Sequence, residues 1–324
     1  MSRIKIRIAC CSIGKHAIKN ILPAISICED MHLVGIYTRN QVILDEQTKL
    51  YGCKTFLSFE SLLQQSDIDI VYLSSPTGLH EEQIRLCIEY GKSVLVEKTA
   101  LPSFPIAAEL VKLALEKQLF VMEAFMYRFH KQYAALKNLI DSNKYGQPLR
   151  IECEFGFPHL PQNDIRYKKS LCGGATFDAG AYTISAARNL LGADASFQWS
   201  ILKKDKQFEV DIGGMAILSN AKTEAVCSWH FGGSYINKIS IWCEEAHIIC
   251  DRAFSKAPEF ESQILVENNG QVIETILVGK ANHFVNMFSF IASRYFHGSL
   301  NSESNELVLQ SAMLESVLRN GAEK

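Results

Sequence analysis

The chain has 324 residues, 48% hydrophobic and 21% charged, with a formal net charge of -2. That length suits two domains better than one core, and the near-zero charge excludes a basic field that would gather nucleic acid or an anionic membrane. No apolar run approaches bilayer-spanning length, and the opening "MSRIKIRIACCS" lacks an apolar signal core. The ten cysteines are scattered through apolar stretches with no C-x-x-C pair, so they read as buried, reduced thiols in a cytoplasmic protein with no metal site.

In chain order, "IKIRIAC" predicts a strand, and "GKHAIKNILPAIS" a helix with Ile18, Ile21, Leu22 and Ile25 on one face. "HLVGIYT" is a second strand, "SFESLLQQS" a short helix, "IDIVYLSS" a strand, "HEEQIRLCIEYG" a helix ending in glycine, and "SVLVEK" a strand. The helix "AAELVKLALEKQ" then leads to the strand "LFVMEAF". Strands alternating with helices imply right-handed βαβ units and a parallel, doubly wound sheet of the Rossmann type over residues 1–122.

From residue 123 the pattern changes. The helix "YAALKNLIDSN" is followed by "LRIECEFGF", a glycine-rich segment "CGGATFDAGAYTISAARNLLG", and the strand-like runs "GGMAILSN", "EAVCSWHFG", "NKISIWCEE" and "AHIICDRAF". Successive strands without intervening helices predict a second α+β domain over 123–324, built on a mainly antiparallel open sheet. Near the end, "NELVLQSAMLESVLRNG" places Leu307, Ser311, Leu314 and Leu318 on one face of a helix that stops at Gly321 and packs back on the body. Taken whole, the fold class is α/β, a doubly wound domain followed by an α+β domain.

The first strand runs into "IACCSIG", where a dinucleotide fingerprint would read G-x-G-x-x-G. Ala9 and Cys11 occupy the first two glycine positions and only Gly14 matches. A left-handed backbone at either non-glycine position would cost about 1 to 2 kcal/mol. The N-terminus of the next helix still offers free N–H groups and a favourable dipole to phosphate. After the second strand, Thr38 and Arg39 stand where an NAD-specific site carries an acid, and a planar cation beside a hydroxyl suits a 2'-phosphate. NADP(H) is thereby favoured over NAD(H); the plainer alternative is a solvated arginine after a strand.

Three polar stretches fall at the predicted C-terminal edge of the sheet: "SSPTGLH" (Ser74 to His80), "VEKTALPS" with Glu97 and Lys98, and "EAFMYRFH" (Glu123 to His130). Partial burial of Lys98 at a strand end would fit it to donate or relay a proton, whereas a bland reading leaves it opening a loop. In the second domain Asp178 and Tyr182 are four apart, on one face if a helix begins there. A tyrosine can protonate a developing alkoxide, and a carboxylate can orient a sugar hydroxyl; the same segment also fits a simple glycine-cushioned helix entry.

The order of these motifs resembles that of the Gfo/Idh/MocA oxidoreductases over essentially the full chain. The family has a P-x-x-x-H segment at "SSPTGLH", E-K-P at "VEKT", and GG-x-x-x-D-x-x-x-H/Y at "GGATFDAGAY". "PQNDIRYKKSLCGGATFDAGAY" and "DRAFSKAP" are similar to the NADPH-dependent NDP-hexose 3-ketoreductases of deoxysugar pathways. The resemblance implies hydride delivery from NADPH to a sugar ketone, with Lys98 as proton donor or relay and Tyr182 as the other acid. It implies substrate contacts from Arg166, Asp178, Tyr235 and Ser255, Arg166 supplying a cation for a diphosphate. Cofactor contacts would come from Cys10, Cys11, Ser12, Ile13, Gly14, Lys15, His16, Thr38, Arg39, Phe59, Ser75, His80 and Glu97. Thr99 replaces the family's proline, which is often cis; a cis bond before another residue is costly, so a different presentation of Lys98 is expected. The remaining alternatives are an enzyme of a free sugar, cyclitol or diol, and a non-catalytic binding module of the same fold. Pairing of open-faced sheets points to a homodimer or homotetramer.

Overall fold

The computed structural model describes residues 5–297 and 300–323, which form two compact units. The first comprises residues up to Ala124 together with Phe284–Ser311, and the second Phe125–His283 with the chain from Ala312 onward. The boundary in the first pass of the chain thus falls two residues beyond the expected one. Phe284–Ser311, expected in the second domain, belongs to the first unit.

The first unit contains β1 (Ile6–Cys11), α1 (Leu22–Ile27), β2 (Met31–Tyr37), α2 (Gln41–Tyr51), β3 (Lys54–Thr55), α3 (Phe59–Leu63), β4 (Ile70–Leu73), α4 (His80–Glu89), β5 (Ser93–Val96), α5 (Phe104–Glu116) and β6 (Val121–Glu123). Its six strands are parallel in the order β3-β2-β1-β4-β5-β6, the doubly wound arrangement. The order reverses between β1 and β4, and the loops after these two strands flank the crevice in which such sheets bind ligands.

Every residue of β4 and β5 is buried, because helices cover both faces of the sheet. On one face Ala9, Cys11, Val71, Leu73, Val94 and Val96 pack in a single core with residues of α3, α4 and α5 and with Leu307. On the other, Tyr72 meets Phe288 and Phe120 meets Tyr295, both partners on the returning segment. The sequence pattern does not declare α2: its apolar Val42 and Leu50 are exposed, and the helix is defined by Asn40 capping the Ile43 N–H and by Gly52 in a left-handed C-cap.

The second unit contains α6 (Lys131–Asp141), β7 (Pro148–Phe157), α7 (Ala181–Leu191), β8 (Ser196–Lys204), β9 (Asp211–Ser219), β10 (Glu224–Phe231), β11 (Ile236–Cys243), β12 (His247–Asp251), β13 (Ser262–Asn268) and β14 (Gln271–Gly279). Then come α8 (His283–Tyr295), which lies from Phe284 onward in the first unit, α9 (Asn301–Asn320), which passes from the first unit into the second after Ser311, and β15 (Ala322–Glu323). The nine-stranded sheet is ordered β14-β13-β12-β11-β7-β10-β9-β8-β15 and is antiparallel except where β7 meets β10 and β8 meets β15. The β13–β14 hairpin turns at Asn269 and Gly270, both at positive φ as a type I' turn requires.

Helix α7 is buried at all but one of its positions and carries Ala181, Ser185, Ala186 and Ala187, small residues that admit close packing. Just before it, Gly180 abuts Trp229: a Cβ there would lie 2.9 Å from the indole, closer than real contacts allow. All ten cysteines are free thiols, eight of them buried. Among the described residues, no helix is long and apolar enough to cross a membrane.

Candidate functional site

The candidate phosphate loop follows β1 without needing glycine at the first two fingerprint positions. Ala9 and Cys11 are both still within the strand, pairing with β2 and β4, and the residue that takes the left-handed turn is Ser12, at φ 58°. The backbone penalty expected at Ala9 and Cys11 therefore does not arise. Cys11 directs its thiol into the core, where burial pushes it up to about 12, and Cys10 is buried on the opposite face. Neither thiol nor the buried Ile13 side chain faces solvent; these residues can offer a cofactor only backbone groups.

Beyond the turn, Gly14 is open, since a Cβ there would meet nothing within 4 Å, and Lys15 and His16 are exposed. The Ile18 N–H closes the first turn onto the Gly14 carbonyl at 3.0 Å, so the N–H groups before it lie at a helix start, where an anion binds favourably. The turn is then π-type over Ala17–Ile21, with Leu22 N–H reaching back to Ala17. Pro23, lacking an N–H, follows within this irregular region.

At the end of β2, Thr38 donates to the Ile13 carbonyl at 3.4 Å, tying the strand end to the loop, and Arg39 is exposed beside it. Phe59, proposed from sequence to touch the cofactor, is buried at the start of α3 and stacks on Tyr37 at 6.4 Å. Its place is in the core. Ser75 is also buried, its hydroxyl donating to Gln83 Oε1 at 2.5 Å.

Lys98 stands on a segment fixed from every side. Glu97 N–H donates to the Leu73 carbonyl (2.9 Å), the Thr77 hydroxyl donates to the Thr99 carbonyl (2.9 Å), and Ala100 N–H donates to Glu123 Oε1 (2.9 Å). The Leu101 carbonyl accepts the Ser311 hydroxyl at 2.6 Å. The Lys98–Thr99 peptide is cis, so the different presentation expected from Thr99 is not what the structure holds.

The Glu97 carboxylate accepts from the Tyr72 hydroxyl and lies 3.1 Å from His16 Nε2. Burial opposes its charge, but His16, the Tyr72 hydroxyl and the charge of Lys98 together hold it below the ordinary carboxylate range. His80 corrects another expectation. Its ring is completely buried, Nε2 lies 2.8 Å from the Ser75 carbonyl, and Nδ1 lies 3.1 and 3.0 Å from the carbonyls of Thr99 and Ala100. Enclosed in this way, it cannot touch a cofactor. In the third polar stretch, His130 is buried as well, its Nδ1 capping α6 through Gln132 N–H at 3.0 Å.

In the second unit, Arg166 sits in a short 3-10 turn and is engaged by two carboxylates. Its Nε donates to Asp178 at 2.6 Å and its Nη1 to Asp164 at 3.2 Å, which hold the guanidinium strongly protonated. Held by two carboxylates, Arg166 is not the open cation that sequence reasoning offered a diphosphate.

Asp178 lies in a π-type turn (Thr176–Gly180) rather than a regular helix start, which changes the four-residue geometry expected with Tyr182. That turn is held by Asp211, whose Oδ2 accepts both the N–H (2.7 Å) and hydroxyl (2.8 Å) of Thr176, while Trp229 Nε1 donates to the same hydroxyl (3.1 Å). Tyr182 is buried in an aromatic cluster with Phe125, Phe155, Tyr127 and Phe254, its hydroxyl 3.4 Å from Met126 Sδ.

Tyr235 and Ser255 are brought together by Asn237, a residue the sequence reading missed. Its amide nitrogen donates to the Tyr235 hydroxyl and to the Ser255 carbonyl, both at 2.9 Å, and its oxygen accepts the Phe254 N–H at 2.8 Å. The signal was available, because strand alternation in "INKISI" places Asn237 on the buried face, where a polar side chain must be paired. Arg252 lies over the Tyr235 ring at 4.6 Å and adds an exposed cation to this corner.

A parallel sheet in this order, an open helix start at its switch point and a lysine on a braced loop suit a nucleotide-dependent oxidoreductase. The model of the oxidoreductase family with an NAD-binding Rossmann fold, Gfo/Idh/MocA, matches residues 6–125, and the Gfo/Idh/MocA C-terminal domain model matches 133–249. The chain belongs to the Gfo/Idh/MocA oxidoreductase family. It is 30% identical over 276 residues to a dTDP-3,4-didehydro-2,6-dideoxy-alpha-D-glucose 3-reductase of Saccharopolyspora spinosa, covering 85% of this chain and 83% of that protein. A D-xylose 1-dehydrogenase (NADP(+)) of Haloferax volcanii is 27% identical over 79% of both chains. The crystal structure of a 3-ketoreductase from Actinomadura kijaniata in complex with NADP and TDP-benzene superposes with a TM-score of 0.93 at 26% identity, covering 98% of each chain.

Proposed function

We propose that this protein is an NADP(H)-dependent reductase of a sugar ketone, acting on a nucleotide-linked keto-deoxyhexose. The observation that carries the reading is the chain-long likeness to sugar-nucleotide 3-reductases, one of them solved with NADP and a TDP analogue. Bound NADPH supplies the hydride. In the first unit, Ser12, Gly14, Lys15 and His16 with the helix start hold the pyrophosphate, and Thr38 and Arg39 take the 2'-phosphate. Lys98, on its braced loop, delivers or relays the proton to the developing alkoxide, with Tyr182 as the second acid. Asp178 and Arg166 orient hydroxyls, and Tyr235 and Ser255 complete the substrate contacts. The residues present fit this cofactor: an exposed cation follows β2, and the space at Gly14 is open.

The compensated Arg166 favours a second reading, a free sugar or diol, because two carboxylates beside one guanidinium suit neutral hydroxyls better than phosphate. Replacing Arg166 by Ala decides between them. A KM for the sugar nucleotide raised at least tenfold supports diphosphate contact, whereas an unchanged KM with turnover of free sugars supports the second reading. We also propose a cytoplasmic homodimer or homotetramer, formed through the open face of the nine-stranded sheet.

A further inference from the structure

We propose that His80 is a positioning residue for Lys98, clasping the backbone on which the lysine is mounted. This rests on the reading of Lys98 as the proton donor or relay. The ring bridges two strand-end loops of one sheet: the Ser75 carbonyl after β4 on its Nε2 side, and the Thr99 and Ala100 carbonyls after β5 on its Nδ1 side.

All three partners are backbone oxygens, so the ring fixes main chain rather than a neighbouring side chain. Two of them, Thr99 and Ala100, immediately follow Lys98. The imidazole is completely buried, and burial pushes its pKa below the ordinary value although the Ser75, Ala100 and Thr99 carbonyls favour the protonated ring. Carbonyls only accept, so a neutral ring bonds one loop at a time, with Nδ1–H donating to the Thr99 and Ala100 carbonyls in the tautomer that holds the lysine segment, and only the protonated ring bonds both loops. Thr77, from the turn that leads into α4, donates to the same Thr99 carbonyl and forms the second arm of the clasp. His80 begins α4, so that helix is keyed to the lysine segment through its first residue.

Catalysis is sensitive to such placement, since an error of about 1 Å in a reacting group can cost on the order of 100-fold in rate. The test compares His80→Asn, whose amide nitrogen falls near Nδ1, with His80→Gln, whose amide nitrogen falls near Nε2. Thr77→Val removes only the second arm. NADPH oxidation with the sugar nucleotide proposed above and NADPH Kd are measured for each, alone and with Lys98→Ala.

The proposal predicts that kcat falls about tenfold or more in His80→Gln and less in His80→Asn and Thr77→Val, with NADPH Kd within about twofold throughout, and no further loss when His80→Gln is added to Lys98→Ala. A raised Kd with kcat intact would make His80 a cofactor residue and overturn the proposal. So would a lowered Tm with kcat intact, or a full His80→Gln effect in the Lys98→Ala background. If His80→Gln does not fold, Thr77→Val and its Lys98→Ala double variant decide alone. Should Lys98→Ala leave kcat unchanged, the reading of Lys98 itself fails; should it lower kcat while His80→Gln, His80→Asn and Thr77→Val do not, only the clasp fails.

Discussion

Arg39 and His80 show what residue type alone can and cannot declare. Arg39 is exposed at the end of β2, next to a Thr38 that is tied to the phosphate loop, and its position follows directly from where the strand stops. Charge-assisted bonds to a phosphate are worth about 1.5 to 3 kcal/mol, so Arg39→Ala is expected to raise the NADPH Kd about ten- to hundredfold. Binding titrations should show NADH affinity nearly unchanged; an equal loss for both cofactors would remove Arg39 from the 2'-phosphate. His80 was legible as a histidine near the sheet edge but not as a buried clasp, because its partners are carbonyls, which every residue carries. For the same reason Arg166 looked like an open cation: Asp178 is twelve residues away, and only the fold brings them to 2.6 Å.

Elements were legible where apolar periodicity is strong and illegible where capping or turns do the work. The buried strands β4 and β5 declare themselves, whereas α2 rests on Asn40 and Gly52, and the Asn-Gly hairpin between β13 and β14 carried a turn signal that the reading passed over. The phosphate loop is the instructive case. The fingerprint asks for glycine at Ala9 and Cys11, but extension of β1 through Cys11 moves the left-handed turn to Ser12.

At the start of α6, His130 makes a pH prediction. Burial, helped by the charge of Lys256, pushes its pKa from the ordinary 6.5 down to about 4. Below 6.5 the unfolded chain takes up a proton that the folded chain refuses until about pH 4, so stability falls as pH drops through that window. His130→Asn, which retains a helix-capping side chain, is expected to flatten that decline in urea titrations. An unaltered slope would assign the decline to other groups, His80 among them.

Across the whole molecule, the alternation of strands and helices and its replacement by successive strands were enough to divide the chain into a parallel and a mainly antiparallel part. The return of Phe284–Ser311 to the first unit was not readable. An amphipathic pattern such as "NELVLQSAMLESVLRNG" shows which face is apolar without showing what covers it. The outward face of the large sheet carries Trp199, Ile201, Met215, Ile217 and Val226 in register across β8, β9 and β10, all at least partly exposed. A contiguous apolar patch of this kind marks an association surface, and a second copy of the chain is the proposed occupant. Trp199→Lys should therefore lower the mass seen by light scattering to that of a smaller species, and an unchanged mass would place the interface elsewhere.

In the proposed reaction NADPH reduces a nucleotide-linked keto-sugar and Lys98 moves the proton. Single-turnover oxidation of NADPH in the presence of a dTDP-linked 3-keto-deoxyhexose, run on the unaltered protein and on Lys98→Ala, tests it most directly. The expected result is transfer of the NADPH hydride to the sugar in the unaltered protein and a rate at least 100-fold lower in Lys98→Ala, within the usual range for a lost acid–base group. No hydride transfer to the sugar nucleotide, or an equal rate in the two proteins, would contradict it.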